Sequence, residues 1–280
     1  MTPPSAVAST PPGRSESPGA IDPLAAALIE AHNRERAMEK KPPLTSNARL
    51  EAAARAQARD MAEHDKLSHE GSDGSTPAGR IERQEYHGRR IGENVAEGQE
   101  TVAGVMRGWM NSPHHRENIL GDFDEIGVAR ASAKDGTPYW CVDFGLSWPK
   151  LDPARAAAAV VEALNREREK AKRPALTVNA TLEAAAREQA SALARRAGLG
   201  SKEDVGSDPL RRLAEGGQFA RLGELAASGR ATPEEVVRSW LDAQDRREGL
   251  LGDFDAIGVG YAIAAKGTPY WVAILGRPAR

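Results

Sequence analysis

Two histidines and a glutamate are the residues of this chain whose types and placement could do chemistry. His69 follows Ser68 before a Gly/Ser-rich loop, Glu93 stands in Gly92-Glu93-Asn94, and His115 follows Ser112-Pro113-His114. Neutral imidazoles beside a carboxylate can hold Zn²⁺ and leave coordination positions for water. We therefore predict a metal-binding cluster of His69, Glu93 and His115.

The roles within this cluster leave alternatives open. Glu93 could bind the metal directly, or it could accept a hydrogen bond from an imidazole and orient it. In a purely structural interpretation, Gly92-Glu93-Asn94 is a turn whose side chains satisfy loop backbone, and His115 caps its own turn. Zinc is the first candidate ion, with calcium and magnesium as alternatives. The expected cavity neighbours are Ser68, Asn94, Ser112 and His114, of which His114 could be a further ligand.

The composition is that of an ordinary soluble protein. The chain has 280 residues, 40% hydrophobic and 28% charged, and its net charge is −2 with both signs interspersed. This balance gives no long-range attraction to nucleic acid or to an anionic membrane. No apolar run reaches the roughly 18 residues that a transmembrane segment needs. The single cysteine excludes an intrachain disulfide.

Internal repetition decides the predicted domain organisation. Similar sequences recur in the same order in both halves of the chain, at 27–36 and 159–168, 44–58 and 176–190, 119–128 and 250–259, and 136–140 and 267–271. A period this long indicates two tandem domains of one fold rather than a solenoid.

The predicted boundaries follow from the repeat. Residues 1–20 are rich in proline and serine and are expected to form a disordered leader. Copy one is assigned to 21–147 and carries the intact His/Glu set, whereas copy two is assigned to 148–280. The junction at 147–153 contains two prolines and leaves little slack. We therefore expect the two copies to pack against each other.

Copy two serves as a control for the candidate site, because all six histidines lie in copy one. Glu224 aligns with Glu93, Arg246 replaces His115, and the segment 199–208 that aligns with the His69 region contains no histidine. We predict that copy two folds like copy one but cannot build the metal site, and that Arg246 pairs with Glu224 instead.

Hydrophobic spacing and capping residues predict an α+β fold with a sheet covered by helices on both sides. Helices are expected over Pro23–Lys40, after Asn47, over Thr101–Met110 and from Pro113, with Asp22 as the first cap. Strands are expected over Glu125–Ser132 and Thr137–Gly145, joined by a turn at Asp135-Gly136. The alternating pattern of the second strand predicts one buried face. The stretches 71–79 and 83–90 are expected to be loops.

The remaining reactive side chains have simpler interpretations. His32 aligns with Leu164 and should pack in the core, whereas His64 and His87 should be solvated. Cys141, aligned with Ala273, is expected to be a buried and inert thiol. Ser68 lacks the sequence context of a nucleophilic serine.

An ordered series of residues across copy one resembles the CAP superfamily of cysteine-rich secretory proteins, antigen 5 and pathogenesis-related proteins, and is most similar to its cysteine-poor bacterial branch. The series comprises Asn33, Arg36, Pro43-Leu44, Leu50, Ser68-His69, Gly92-Glu93-Asn94, Gly108 to Pro113, His115-Arg116, Asn118 to Leu120, Phe123, Ile126 to Val128, Tyr139-Trp140 and Phe144-Gly145.

The resemblance implies a three-layer α-β-α sandwich in each copy, with a central cavity lined by two histidines and acidic residues that can hold a divalent ion. His69, Glu93 and His115 match three members of that set. The second acidic member of eukaryotic relatives falls on Ser112, so the ion would lack one ligand.

Three functions are consistent with these features. The first is a secreted or cell-envelope binding module, not an enzyme, whose cleft takes a lipid, peptide or envelope component; the extracellular location comes from the resemblance, since no signal peptide is visible. The second is a metal-assisted hydrolase with Glu93 as general base, although the chain has no HExxH motif. The third is a structural surface protein. The sequence favours the binding module.

Overall fold

The computed structural model describes residues 22–199 and 209–279, which form two similar units. The leader predicted at 1–20 lies outside the described residues, and the predicted boundaries remain a prediction. In copy one the elements are α1 (Pro23–Met38), β1 (Thr45–Ser46), α2 (Ala48–His64), α3 (Pro77–Arg83), β2 (Arg90–Glu97), α4 (Val102–Met110), α5 (Pro113–Leu120), β3 (Glu125–Ser132) and β4 (Pro138–Leu146). In copy two they are α6 (Pro153–Lys170), β5 (Thr177–Val178), α7 (Ala180–Leu199), α8 (Pro209–Glu215), β6 (Phe219–Ser228), α9 (Pro233–Leu241), α10 (Gln244–Leu250), β7 (Ala256–Ile263) and β8 (Pro269–Pro278).

Each unit is built on one sheet with the same strand order. The orders are β1-β3-β4-β2 and β5-β7-β8-β6, so β2 and β6 are edge strands. The short first strand pairs parallel with the third, and the other pairs are antiparallel. Successive side chains along β2 point to opposite faces of the sheet, so neighbouring residues of this strand can contact different helices.

Helices cover both faces of the copy one sheet, as predicted. On one face Trp140, Val142 and Phe144 pack with residues of α1 and α4. On the other face Tyr139 and Cys141 pack with residues of α2. The expectation that only one face of β4 is buried is therefore wrong, because the strand is central and is covered from both sides.

Local sequence explains where the helices begin. Asp22 accepts a hydrogen bond from the Leu24 amide at the start of α1, and Asn47 accepts bonds from the first amides of α2. Helix α2 then approaches β3 closely: a Cβ at Gly127 would lie 2.1 Å from backbone atoms of Leu50 and Glu51. Only glycine permits this approach of helix to sheet.

Two predicted loops contain regular structure. The stretch 71–79 is a loop only as far as Thr76, which caps α3. The basic stretch 83–90 begins at the last residue of α3 and ends at the first residue of β2. The predicted bounds of both loops were therefore wrong. Helix α3 is short and β2 lies at a sheet edge, so neither leaves a clear periodic pattern in the sequence.

The shared polar residues of the repeat hold the helices to the sheet. The buried Arg36 guanidinium donates to the backbone carbonyls of Pro42, Ile119, Gly121 and Phe123. Arg168 makes the same contacts in copy two, with Pro174, Leu250, Gly252 and Phe254. These residues recur in both copies because the fold requires them.

Candidate functional site

Strand β2 delivers consecutive side chains to the two faces of the sheet. Glu93 points to the α2 face, where it meets His69 from the loop that follows α2. Asn94 points to the opposite face, where its side-chain amide donates to the backbone carbonyl of His115 in α5 at 3.0 Å. The two candidate histidines are therefore held on either side of one edge strand.

Glu93 orients the His69 ring. Its carboxylate oxygen Oε1 accepts a hydrogen bond from Nδ1 of His69 at 2.7 Å. The Glu93 side chain is 2% exposed, whereas the His69 side chain is 54% exposed. The hydrogen bond from the ring to the buried carboxylate raises the pKa of His69. With Nδ1 engaged, Nε2 is the nitrogen of His69 that can meet a ligand.

Arg80 is a component of the site that the sequence did not reveal. Its guanidinium, 5% exposed, donates to Oε2 of Glu93 at 2.6 Å. It also donates to the backbone carbonyls of His69 at 3.0 Å and Ser75 at 2.8 Å. The buried Arg80 thus balances the negative charge of Glu93 and, through its hydrogen bonds to backbone carbonyls, holds the loop that carries His69. In the sequence it is one of many arginines, and no local pattern separates it from the solvated ones.

Two further groups, Asp143 and Cys141 of β4, lie beneath Glu93. The Cys141 thiol donates to Oε2 of Glu93 at 3.5 Å, and burial raises the pKa of Cys141. Asp143 is fully buried, and no donor from the described residues reaches its carboxylate oxygens. Burial, and then the negative charge of Glu93, raise the pKa of Asp143 well above its usual range. A raised pKa favours the protonated form of Asp143.

Cys141 is buried, as the sequence predicts, and its raised pKa disfavours the reactive thiolate. Asp143 was missed, although a signal for it existed: an acidic residue in a strand whose other members are almost all apolar. Acidic residues are rarely buried without a partner, so such a position indicates a polar cluster.

His115 is positioned through its backbone. Asn94, which is fully buried, also accepts a hydrogen bond from Asn118 at 2.9 Å, and Asn118 donates in turn to the backbone carbonyl of Glu93. These amides tie α5 to β2. Partial burial, and then the nearby rings of His69 and His114, lower the pKa of His115. A lowered pKa favours the neutral form of this imidazole, which is the form that binds a metal.

The other predicted neighbours have structural roles. Ser68 accepts a hydrogen bond from the Glu70 amide, and its carbonyl accepts one from Gln57. Ser112 precedes α5, where its backbone carbonyl accepts from the Arg116 amide. His114 is exposed. The half-exposed ring of His64 and the partly exposed His87 agree with the expected solvation, and His32 is fully buried in the core, as expected.

The donor atoms decide how a divalent ion could be held. Among the described residues, the one group of three such atoms within 4.8 Å of one another is Glu93, Cys141 and Asp143. Metal binding by these three needs deprotonated Cys141 and Asp143, which their raised pKa values oppose, and it competes with the ion pair between Arg80 and Glu93. The predicted set of His69, Glu93 and His115 is not among the groups within the described residues that meet this distance limit. His69 and His115 are less buried than these three and remain candidate ligands, for which protons would compete.

Copy two keeps the strand order of copy one but has apolar residues at the positions of Cys141 and Asp143. Strand register pairs Glu93 with Asp143 but Glu224 with Ile274, and Val95 with Cys141 but Ala226 with Val272. The counterpart of Cys141 is thus Val272, and the predicted alignment with Ala273 was wrong by one residue.

The polar contacts around Glu224 also differ. Glu224 accepts a hydrogen bond from Gln189 at 3.3 Å. Arg212, which aligns with Arg80, pairs with the exposed Glu188. Between described residues no ion pair joins Arg246 to Glu224, so that prediction was wrong. Residues 200–208, where the His69 counterpart would fall, lie outside the described part of the chain.

Both repeats match one protein family. The model of the CAP family, described as the cysteine-rich secretory protein family, matches twice, at residues 29–144 and 161–275. The chain belongs to the CAP family and contains two tandem copies of its α-β-α domain.

The chain is also similar to individual proteins. The uncharacterized protein YkwD of Bacillus subtilis is 32% identical over 112 residues, covering 40% of this chain and 44% of the relative. The chain therefore spans less than half the length of that relative. An outer surface protein of Borrelia burgdorferi is 28% identical over 44% of this chain and 91% of its own, with a TM-score of 0.41. An extracellular SCP-domain protein of Bacillus anthracis is 22% identical over 46% of this chain and 45% of its own, also with a TM-score of 0.41.

In the parts of the chain that the structure describes, no helix is both long enough and apolar enough to span a membrane.

Proposed function

We propose that the protein is an extracytoplasmic binding module in which copy one carries a weak divalent-metal site and an adjacent cleft for a lipid, peptide or cell-envelope ligand. The matched family is described as secretory, which supports the location. The proposal depends on one observation above all: His69 is oriented by a buried carboxylate and is itself half-exposed. The ring is fixed in orientation through Nδ1, and its exposed part is accessible to a metal ion or ligand from solvent.

The donor set supports zinc before calcium or magnesium. Imidazole nitrogens suit Zn²⁺, whereas Ca²⁺ and Mg²⁺ prefer several oxygen ligands. The one nearby carboxylate, Glu93, already accepts from His69, Arg80 and Cys141. Its role in the proposal is to orient His69 and to balance charge.

The same contacts count against the hydrolase alternative. A general base must reach the proton that it removes. The Glu93 carboxylate is 2% exposed and both oxygens are engaged, so a water in the cleft would first have to displace Arg80 or His69. The arrangement therefore favours binding over turnover.

Isothermal titration of Zn²⁺, with Ca²⁺ and Mg²⁺ in parallel, tests the site at pH 7.5. We expect about one Zn²⁺ per chain for the wild type and no saturable binding for the double variant His69→Ala/His115→Ala. The control is His64→Ala/His87→Ala, which removes two histidines of copy one outside the cluster and should bind as the wild type does. Equal binding by all three proteins would refute the metal site.

Ligand binding is tested separately, with and without Zn²⁺. Vesicles of neutral lipid and peptidoglycan fragments are the probes, and the melting temperature and product formation are the readouts. Stabilisation without product supports a binding module, whereas product that disappears in Glu93→Gln would support the hydrolase. If no probe changes the melting temperature, the protein acts as a structural element.

A further inference from the structure

A second cleft, separate from the histidine cluster, lies where the two copies meet. It has a volume of about 320 Å³ and is formed by α3, the loop before β2, Trp148 of the junction and the turn between β7 and β8. This volume is at the lower end of the range for small-molecule pockets. Neither copy forms the cleft alone, since Lys266 and Thr268 come from copy two and the remaining lining residues come from copy one or the junction.

The charges that line this cleft are mainly positive. Arg89, Arg90 and Lys266 contribute three cations, whereas Glu82 is the one carboxylate among the lining residues. Lys266 forms an ion pair with Glu82 at 2.7 Å. Arg90 is exposed, and its guanidinium lies over the ring of Phe123 at 4.9 Å. Lys266 pairs with Glu82 and Arg89 pairs with Glu235, so among the cations that line the cleft Arg90 is the one with no ion pair to a described residue.

Contacts between the copies hold these groups in place. Arg89 lies over the Trp148 ring at 5.6 Å and pairs with Glu235 of copy two at 3.2 Å. Gly267 has a positive φ, and a Cβ there would lie 2.9 Å from Trp148. The β7–β8 turn therefore sits directly on the junction tryptophan. Side chains that are already ordered lose less entropy when a ligand binds.

The two copies differ in charge at this turn. In copy one, the turn residue that corresponds to Lys266 is Asp135, which is exposed and bonds within its own turn to Thr137. Copy two thus differs from copy one by a change of charge sign at the position that enters the cleft. The cation of Lys266 both pairs with Glu82 of copy one and lines the cleft.

We infer that the cleft between the copies binds a small anion with a carboxylate or phosphate group, of about the size of a sugar acid or sugar phosphate. Arg89, Arg90 and Lys266 would bind the anionic group through charge-assisted hydrogen bonds, and Trp148 and Tyr86 would contact its less polar face. The inference is independent of the metal site, because the two sites share no residue.

Titration of the full chain with inorganic phosphate and with glucuronate, followed by NMR of the Trp148 indole, tests the inference and distinguishes phosphate from carboxylate ligands. We expect saturable binding of at least one probe to the wild type. Lys266→Asp restores the residue found in copy one and should weaken binding about tenfold or more, as loss of one charge-assisted contact does. Binding should also weaken as ionic strength rises.

Two further variants separate a loss of anion binding from a loosened contact between the two copies, because Lys266 also pairs with Glu82. Arg90→Ala removes a cation that takes no part in an ion pair between the copies, so it should weaken binding about tenfold even if Lys266→Asp loosens the interface. Lys134→Ala removes the neighbouring cation of the equivalent turn in copy one and should leave affinity unchanged. Unaltered affinity in Arg90→Ala and Lys266→Asp, or no saturable binding to the wild type, would overturn the inference. The His69→Ala/His115→Ala protein should still bind the anion.

Discussion

Glu93 and Asn94 are adjacent residues of one edge strand, yet they hold the two candidate histidines from opposite faces of the sheet. Glu93 does so through the imidazole of His69, and Asn94 does so through the backbone carbonyl of His115. The alternation of side chains along a β-strand makes this possible. Substitutions of the two residues should therefore have different effects. A change of Glu93 should alter the orientation of the His69 ring, whereas a change of Asn94 should alter the position of α5.

The first prediction concerns the titration of His69. In Glu93→Gln the pKa of His69 should fall toward its ordinary value, because the hydrogen bond and the negative charge that raise it are lost. A histidine with a raised pKa contributes stability below its unfolded pKa of about 6.5, and this contribution disappears as the pH rises through the folded pKa. The difference in free energy of unfolding between the wild type and Glu93→Gln should therefore decrease as the pH rises from about 6.5 through the folded pKa of His69.

NMR titration of the His69 ring measures this shift directly. Glu224→Gln makes the same change in copy two and should leave the titration of His69 as it is in the wild type. An unchanged pKa in Glu93→Gln would show that the carboxylate does not orient the ring in solution.

The second prediction concerns Arg80. Arg80→Met leaves the Glu93 carboxylate buried without its cation, and breaking a buried ion pair in this way costs about 3–5 kcal/mol. Arg212→Met removes the aligned arginine of copy two, whose partner Glu188 is largely exposed. An exposed pair contributes about 0–1 kcal/mol. Copy one should therefore lose much more stability than copy two.

Hydrogen exchange of the β4 amides measures the stability of copy one, and that of the β8 amides measures the stability of copy two, as denaturant is added. Equal losses for the two variants would contradict the role assigned to Arg80. Arg80→Met should also weaken Zn²⁺ binding, because the loop that carries His69 loses its anchor, whereas Arg212→Met should not.

The third prediction concerns His32 in the core of copy one. Its ring lies 5.7 Å from the rings of both Trp109 and Phe144, and Nε2 has no partner among the described residues. Burial lowers the pKa of His32 to about 4. As the pH falls below about 6.5 the unfolded chain binds a proton that the folded chain does not, so stability is lost until about pH 4.

The loss should reach about 3 kcal/mol, because one pKa unit corresponds to about 1.4 kcal/mol. His32→Leu, which copies Leu164, should remove this acid sensitivity and be at least as stable as the wild type at pH 7. Urea denaturation between pH 4 and 7 measures the difference. His64→Leu, which changes a half-exposed histidine, is the control and should keep the slope of the wild type.

The fourth prediction concerns the proton on Asp143. A carboxyl group with a raised pKa contributes stability below its unfolded pKa, and that contribution is lost as the pH rises toward the folded pKa. Asp143→Asn has the shape of the protonated acid without this dependence. It should match or exceed the wild type in stability at pH 7. Infrared absorption of a protonated carboxyl group at neutral pH, absent in Asp143→Asn, would verify the proton; its absence from the wild type would contradict the assignment.

Much of the fold could be predicted from the sequence because it depends on local signals and on repetition. Asp22 and Asn47 are capping residues that mark the starts of α1 and α2, and the spacing of apolar residues identifies the buried face of α4. The repeat separates residues that the fold needs, such as Arg36 and Arg168, from residues found in one copy. The edge strand β2 was missed because Gly92-Glu93-Asn94 has the composition of a turn.

His69, Glu93 and His115 could be named from the sequence by residue type, by their absence from copy two and by family resemblance. Only the tertiary structure decided that Arg80 and Asp143 belong with Glu93, and that Lys266 and Arg90 line one cleft. These residues come from segments far apart in the chain, and no local pattern records which of them meet. Burial then sets their chemistry, because the energy of a charge depends on the surroundings that the fold provides.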